Sequence, residues 1–138
     1  MKKGFQPQHG AAGWQLSNAP VFPMAIHRAS LELFDEAGIE NLRRKSEQLT
    51  GFLEFILKAF NSKHPDKALT IITPGTSADR GCQLSLVATS NGREIFKHLS
   101  DASVISDWRE PNVIRMAPVP LYNSFEDVWR VGEVFRSI

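Results

Sequence analysis

The chain has 138 residues, for which one domain is the default, and its 42% apolar content with nine Phe and three Trp suffices for a modest core. Net charge is +1, with both signs spread along the chain, no basic block and no interleaving of basic and aromatic residues, which argues against nucleic acid as a partner. No apolar run approaches a membrane span, no apolar segment follows Lys2-Lys3 as in a signal peptide, and the single Cys82 excludes an internal disulfide and suits a reducing cytoplasm.

The first twelve residues are polar and Gly-containing and predict a loop or frayed end. Gly13 to Pro20 is a turn-rich entry. Ala19 is pushed out of helical geometry by Pro20, and Ser17 or Asn18 can cap the helix that follows. Val21 to Ala37 predicts that helix, ending at Gly38, with Pro23 tolerated only in its first turn. Met24, Ile26, Leu31, Leu33 and Phe34 lie around much of the cylinder, the pattern of a helix buried by two neighbours. His27 has no partner at helical spacing and reads as a packing or surface residue.

Ile39 to Phe60 predicts the longest helix, with Leu42, Leu49, Leu53, Ile56 and Phe60 as its apolar stripe. Arg43, Arg44 and Lys45 point in three directions and read as a solvated face. Gly51 in mid-helix suggests close packing. After a polar loop, Ala68 to Thr73 predicts a strand, Pro74 to Ala78 a turn, and Gly81 to Ala88 a second strand. There Cys82 alternates with Gln83 and Ser85, on the side of Leu84 and Leu86, so it is expected to point into the core rather than act as a nucleophile. Asn91 to Ser100 predicts a short helix, with Ile95, Phe96 and Leu99 inward. Val104 to Trp108 and Asn112 to Ala117 predict the last two strands.

In the final strand Val113, Arg115 and Ala117 share one face, and Ile114 and Met116 the other. Pro118 and Pro120 stop it. Ser124-Phe125-Glu126-Asp127 resembles a capping box with Asp in the fourth position. Phe125, Val128, Trp129, Gly132 and Phe135 then follow at helical spacing. The whole predicts an α+β two-layer domain: a mostly antiparallel four-stranded sheet with helices packed on one face. Arg115 is a fixed cation between apolar neighbours. Its planar guanidinium suits two-point capture of a carboxylate or phosphate, while periodicity alone favours a structural salt bridge with one of the chain's own acids or an edge-strand arginine in water.

Four stretches carry a family resemblance: RxPNVIRxAPVPLYNSFxDV near the end, GWQLSNAPVFPMAIHRASLELFDEAG near the start, LTGFLEFI in the long helix and IITPGTSADRGCQLSL between them. In this order they resemble kynureninase, a pyridoxal-phosphate (PLP) enzyme of fold type I, from about Gly13 to Phe135. The resemblance implies a single C-terminal small domain, with residues 1–18 as a linker from a preceding cofactor domain and 19–138 as the domain proper. It implies hydrolysis of L-kynurenine, or its 3-hydroxy form, to anthranilate (or 3-hydroxyanthranilate) and L-alanine, in a cytoplasmic homodimer. Arg115 matches the family arginine that holds the substrate α-carboxylate. Ser17 and Asn18 match the pair beside the cofactor phosphate and the substrate ring, in a loop that serves the neighbouring subunit. The family usually shows SNPP where this chain has Ser17-Asn18-Ala19-Pro20. Tyr122, Asn123 and Trp129 match the pattern but read as packing and capping.

The lysine that binds PLP and the acid on its ring nitrogen are expected upstream, because Lys45, Lys58, Lys63, Lys67 and Lys97 sit on polar helix faces or in a loop. No covalently bound cofactor and no metal are expected on this chain. Two other readings stay open from the residues: a free-standing α+β interaction or regulatory domain, and the small domain of another fold-type-I enzyme such as an aminotransferase or desulfurase. The SNAP loop and the RGCQLS strand favour kynureninase.

Overall fold

The computed structural model of the chain describes Gly4 and residues 6–138, so part of the predicted N-terminal loop lies outside the described residues. Two compact units emerge, Met1–Glu36 and Ala37–Ile138. The first carries a short 3₁₀ turn, Gly10–Trp14, and most of helix α1, Val21–Ala37. The helix begins where Pro20 accepts the amide of Met24 and ends at Gly38, whose φ of 77° is one that residues with a Cβ rarely adopt. No residue of α1 is buried, and Phe22, Ile26 and Leu33 stand exposed.

The second unit is the predicted α+β domain. Helix α2 runs Ile39–Lys63, three residues past its predicted end, followed by a 3₁₀ turn at Pro65–Lys67. The strands are β1 (Leu69–Ile71), β2 (Leu84–Ala88), β3 (Asp107–Arg109) and β4 (Val113–Met116). Helix α3, Gly92–Asp101, joins β2 to β3, and α4, Phe125–Arg136, closes the chain. The strand order is β1-β2-β4-β3 with every neighbour antiparallel. The α3 connection carries β3 past the place of β4 to the sheet edge, and the chain then turns back through Glu110-Pro111-Asn112 to lay β4 between β2 and β3. All four strands are shorter than their sequence patterns suggest.

One core fills the space between the helices and one sheet face. Leu49, Leu53 and Leu57 of α2 meet Leu84 and Leu86 of β2, Ile114 of β4, Ile95 and Leu99 of α3, and Val128 and Phe135 of α4. Leu57, outside the predicted stripe, is fully buried, whereas Ile56 is only partly buried. Phe60 and Phe135 pack ring to ring at 4.9 Å. Gly51 has nothing near its missing side chain, so the expected close packing is not there. The close approach lies at Gly132 of α4, where a Cβ would meet Ile56 at 3.2 Å. The predicted capping box is present. Ser124 Oγ accepts the Asp127 amide at 3.2 Å, and Asp127 Oδ2 accepts the Ser124 amide at 2.8 Å.

The Arg43-Arg44-Lys45 run is more than a solvated face. Arg43 and Lys45 are half-buried. Arg43 donates to the carbonyls of Arg80 and Ser77, and Lys45 Nζ donates to the carbonyl of Pro120 at 2.8 Å. These bonds tie the loop before β2 and the loop after β4 to α2. Arg80 completes the tie, its side chain only 6% exposed and 2.8 Å from Glu54.

Candidate functional site

The candidate site lies on the face of the sheet away from α2, α3 and α4. Along β4, Ile114 and Met116 are buried in the core, while Val113 and Arg115 are half-buried on the other face. The alternation is that of any strand with one packed side. The strand cannot continue, because Pro118 and Pro120 supply no amide to a ladder. Arg115 therefore stands near the end of a central strand, with β2 on one side and β3 on the other.

Its cross-strand neighbours are Ser85 of β2 and Asp107 of β3. Directly opposed residues of antiparallel strands point to the same face, so the three form a row across the open side. Arg115 Nε donates to Asp107 Oδ2 at 2.6 Å, and Nη2 lies 2.5 Å from the same oxygen. Arg109, two residues along β3, donates its Nε to that oxygen at 2.8 Å. The Arg115 guanidinium first, and that of Arg109 second, hold the Asp107 carboxyl below its ordinary range. Two cations thus share one anion, and the cluster keeps a net positive charge. The structural salt bridge that the sequence left open is formed. It uses one edge of the guanidinium, and among the described residues Nη1 has no partner. The Arg115 side chain remains 32% exposed.

The Asp107 and Arg109 contributions were not singled out in the sequence. The available signal was the charge pair in Asp107-Trp108-Arg109, two residues apart on a strand and so on one face. It needed the β3–β4 register before it pointed at Arg115. Trp108, between them, turns to the core side. It packs on Phe96, with centroids 5.7 Å apart, and lies under the Arg93 guanidinium at 4.3 Å.

Ser17 and Asn18 belong to the first unit and are exposed. The Ser17 carbonyl accepts the Gln15 side-chain amide at 2.8 Å. Neither side chain supplies a hydrogen bond to the start of α1 among the described residues. His27 is exposed on α1. Cys82 is half-buried, just ahead of β2 rather than within it, so it is less enclosed than expected. Asn123 is a turn residue: its Oδ1 accepts the Val119 amide at 2.8 Å. Tyr122 and Trp129 are exposed and do not serve the packing that the pattern suggested.

The described lysines do not fit a Schiff-base site. Lys45 and Lys67 donate to main-chain carbonyls, Lys58 and Lys97 pair with Glu54 and Asp101, and Lys63 is exposed at the end of α2. A cleft of about 480 Å³ opens beside Tyr122, Asn123 and Asp127, and Arg115 does not line it. The arrangement can hold an anion on an open face of the sheet, where the Arg115 side chain is 32% exposed.

The family profile described as the kynureninase C-terminal domain matches residues 42–135. The kynureninase of Flavobacterium psychrophilum is 48% identical over 136 residues, covering 99% of this chain and 32% of that protein. That of Xanthomonas euvesicatoria is 55% identical over 131 residues, covering 93% of this chain and 30% of its own length. That of Christiangramia forsetii is 45% identical, covering 99% and 32%. The chain thus spans just under a third of the length of the curated relatives it matches.

Proposed function

The chain belongs to the kynureninase family, and from that premise we propose that it is the C-terminal, carboxylate-binding part of a kynureninase. The reaction of the complete enzyme is hydrolysis of L-kynurenine or 3-hydroxykynurenine to the anthranilate and L-alanine. The observation that supports this best is Arg115. It is a guanidinium on a central strand, held along one edge by Asp107 and, among the described residues, without a partner at Nη1. A planar fork of this kind binds a carboxylate at two points. Holding the substrate by its α-carboxylate orients the neighbouring bonds, and orientation of this kind contributes up to several kcal/mol.

Pyridoxal phosphate, held by the remainder of the enzyme, supplies the electron-withdrawing chemistry. In this proposal Ser17 and Asn18 border its phosphate and the substrate ring, with a hydroxyl and a carboxamide to offer as donors. They do so in a cytoplasmic homodimer, where their loop serves the neighbouring subunit. The exposed apolar surface of α1 supports a further partner for that helix, and the cofactor domain is the one proposed.

The test is to mix the purified chain with pyridoxal phosphate and L-kynurenine, and to follow anthranilate fluorescence together with the cofactor's absorption spectrum. The proposal expects neither turnover nor a specific lysine adduct. Turnover by the chain alone would overturn it.

A further inference from the structure

We propose that Asp107 is a positioning residue: it fixes the guanidinium of Arg115 so that the unused edge is presented to the substrate carboxylate. The inference deepens the proposed function and rests on it.

The argument starts from what an arginine lacks. Its side chain has several rotatable bonds, and an unrestrained one gives up about 2 kcal/mol of rotamer entropy when it binds. Arg115 is restrained before any ligand arrives. Asp107 is its direct partner across the β3–β4 ladder, so the carboxylate arrives from a fixed place. One oxygen, Oδ2, engages both Nε and Nη2, at 2.6 and 2.5 Å. That contact occupies the side-on edge of the fork. The end-on edge, Nη1 with the second hydrogen of Nη2, is the one left for a ligand, and it is the geometry that meets a carboxylate at two points.

A carboxylate this close to the site also repels an incoming carboxylate. Arg109 answers that. It binds the same oxygen of Asp107 and returns the cluster to a net positive charge. The strand that carries both residues is itself anchored. Trp108 lies between Phe96 and the Arg93 guanidinium, and Gly92 leaves it room, since a Cβ there would stand 3.2 Å from the indole. Asp107 is thus held by the fold, Arg115 by Asp107, and the substrate carboxylate by Arg115.

The experiment uses the complete enzyme and two competitive inhibitors that differ only in the α-carboxylate: an aryl-keto amino acid like kynurenine and its decarboxylated amine. The ratio of their inhibition constants is the carboxylate preference. Asp107→Ala should lower that ratio about tenfold or more, the worth of one charge-assisted hydrogen bond. Asp107→Asn, which keeps the shape and an oxygen acceptor, should lower it less. In an Arg115→Ala background, Asp107→Ala should have no further effect on the ratio. If Arg115→Ala abolishes the preference and neither Asp107 variant changes it, the positioning role falls and the carboxylate site stands. If Arg115→Ala leaves the preference intact, the carboxylate site itself falls. Equal weakening of both inhibitors by the Asp107 variants would mark a structural defect and would also overturn the positioning role. Should Asp107→Ala fail to fold, Asp107→Asn decides.

Discussion

Gly132 lets α4 settle onto α2 at Ile56: a Cβ at this position would lie 3.2 Å from the Ile56 Cδ1 atom and 3.5 Å from the next two carbons. The glycine is buried, and the helices share the Phe60–Phe135 contact nearby. A branched side chain must push α4 away or force Ile56 off its rotamer. Gly132→Val should therefore destabilise the chain by about 1–3 kcal/mol. Gly51 is the contrast, a helical glycine with open space around it. Gly51→Ala should stabilise by about 1 kcal/mol through helix propensity alone. Chemical denaturation of both variants checks the pair. A neutral Gly132→Val would mean that the α2–α4 contact is looser than described.

Ser124 carries the N-terminus of α4. Its hydroxyl takes the Asp127 amide, and its own amide is taken by Asp127 Oδ2. Ser124→Ala removes one half of this reciprocal pair and should cost about 1 kcal/mol. Ser124→Asp, which keeps an acceptor, should recover most of it. Equal losses from the two substitutions would argue that the cap contributes little.

Three carboxyls are held below their ordinary range: Glu54 by the hydrogen bond from Lys58 and next by that from Arg80, Asp107 by Arg115 and then Arg109, and Asp127 by the Ser124 amide and then its hydroxyl. A depressed pKa in the folded chain means that the unfolded chain takes up protons first as pH falls. The stability these groups contribute is complete above the ordinary carboxylate range and is lost as pH drops through their folded values. Thermal stability should therefore be flat from neutrality to about pH 5 and fall below about pH 4. A midpoint that rose on acidification would contradict the three assignments.

Much of this fold was legible because its punctuation is strong. Gly38 ended α1 where the sequence placed the end, and Ser124 with Asp127 marked the start of α4. The two faces of β4 followed from alternation between Val113 and Met116. What failed had physical reasons. Leu57 escaped the stripe because Ile56, beside it, fits the same helical spacing, and only the folded packing, which buries Leu57 fully and Ile56 partly, separates them. Arg43 and Lys45 looked like solvent residues because the contacts that tie them to distant loops are to main-chain carbonyls, which leave no mark in a sequence; the Arg43–Glu47 pair, one turn apart, is a local contact that a solvated face also makes. Arg115 was visible as an odd cation on a strand. Asp107 was not, because its relation to Arg115 exists only in the register of two strands.

Asn18 gives a separate prediction for the complete enzyme. Its side chain makes no capping bond to α1 among the described residues, so its loss should leave the helix start unchanged. Asn18→Ala should instead weaken cofactor retention or alter selectivity between ring-substituted substrates. Dialysis against cofactor-free buffer and a comparison of kynurenine with its 3-hydroxy form would show it. If neither moves, Asn18 has no part in the site.

The most direct measurement is kcat/KM for L-kynurenine in the complete enzyme with Arg115→Ala. Removing one partner of a charged, two-point contact costs about 2–5 kcal/mol. The account predicts a fall of about a hundredfold, which corresponds to roughly 2.7 kcal/mol of lost transition-state stabilisation. An unchanged kcat/KM would mean that Arg115 serves only its salt bridge with Asp107, and the carboxylate-binding role would be lost.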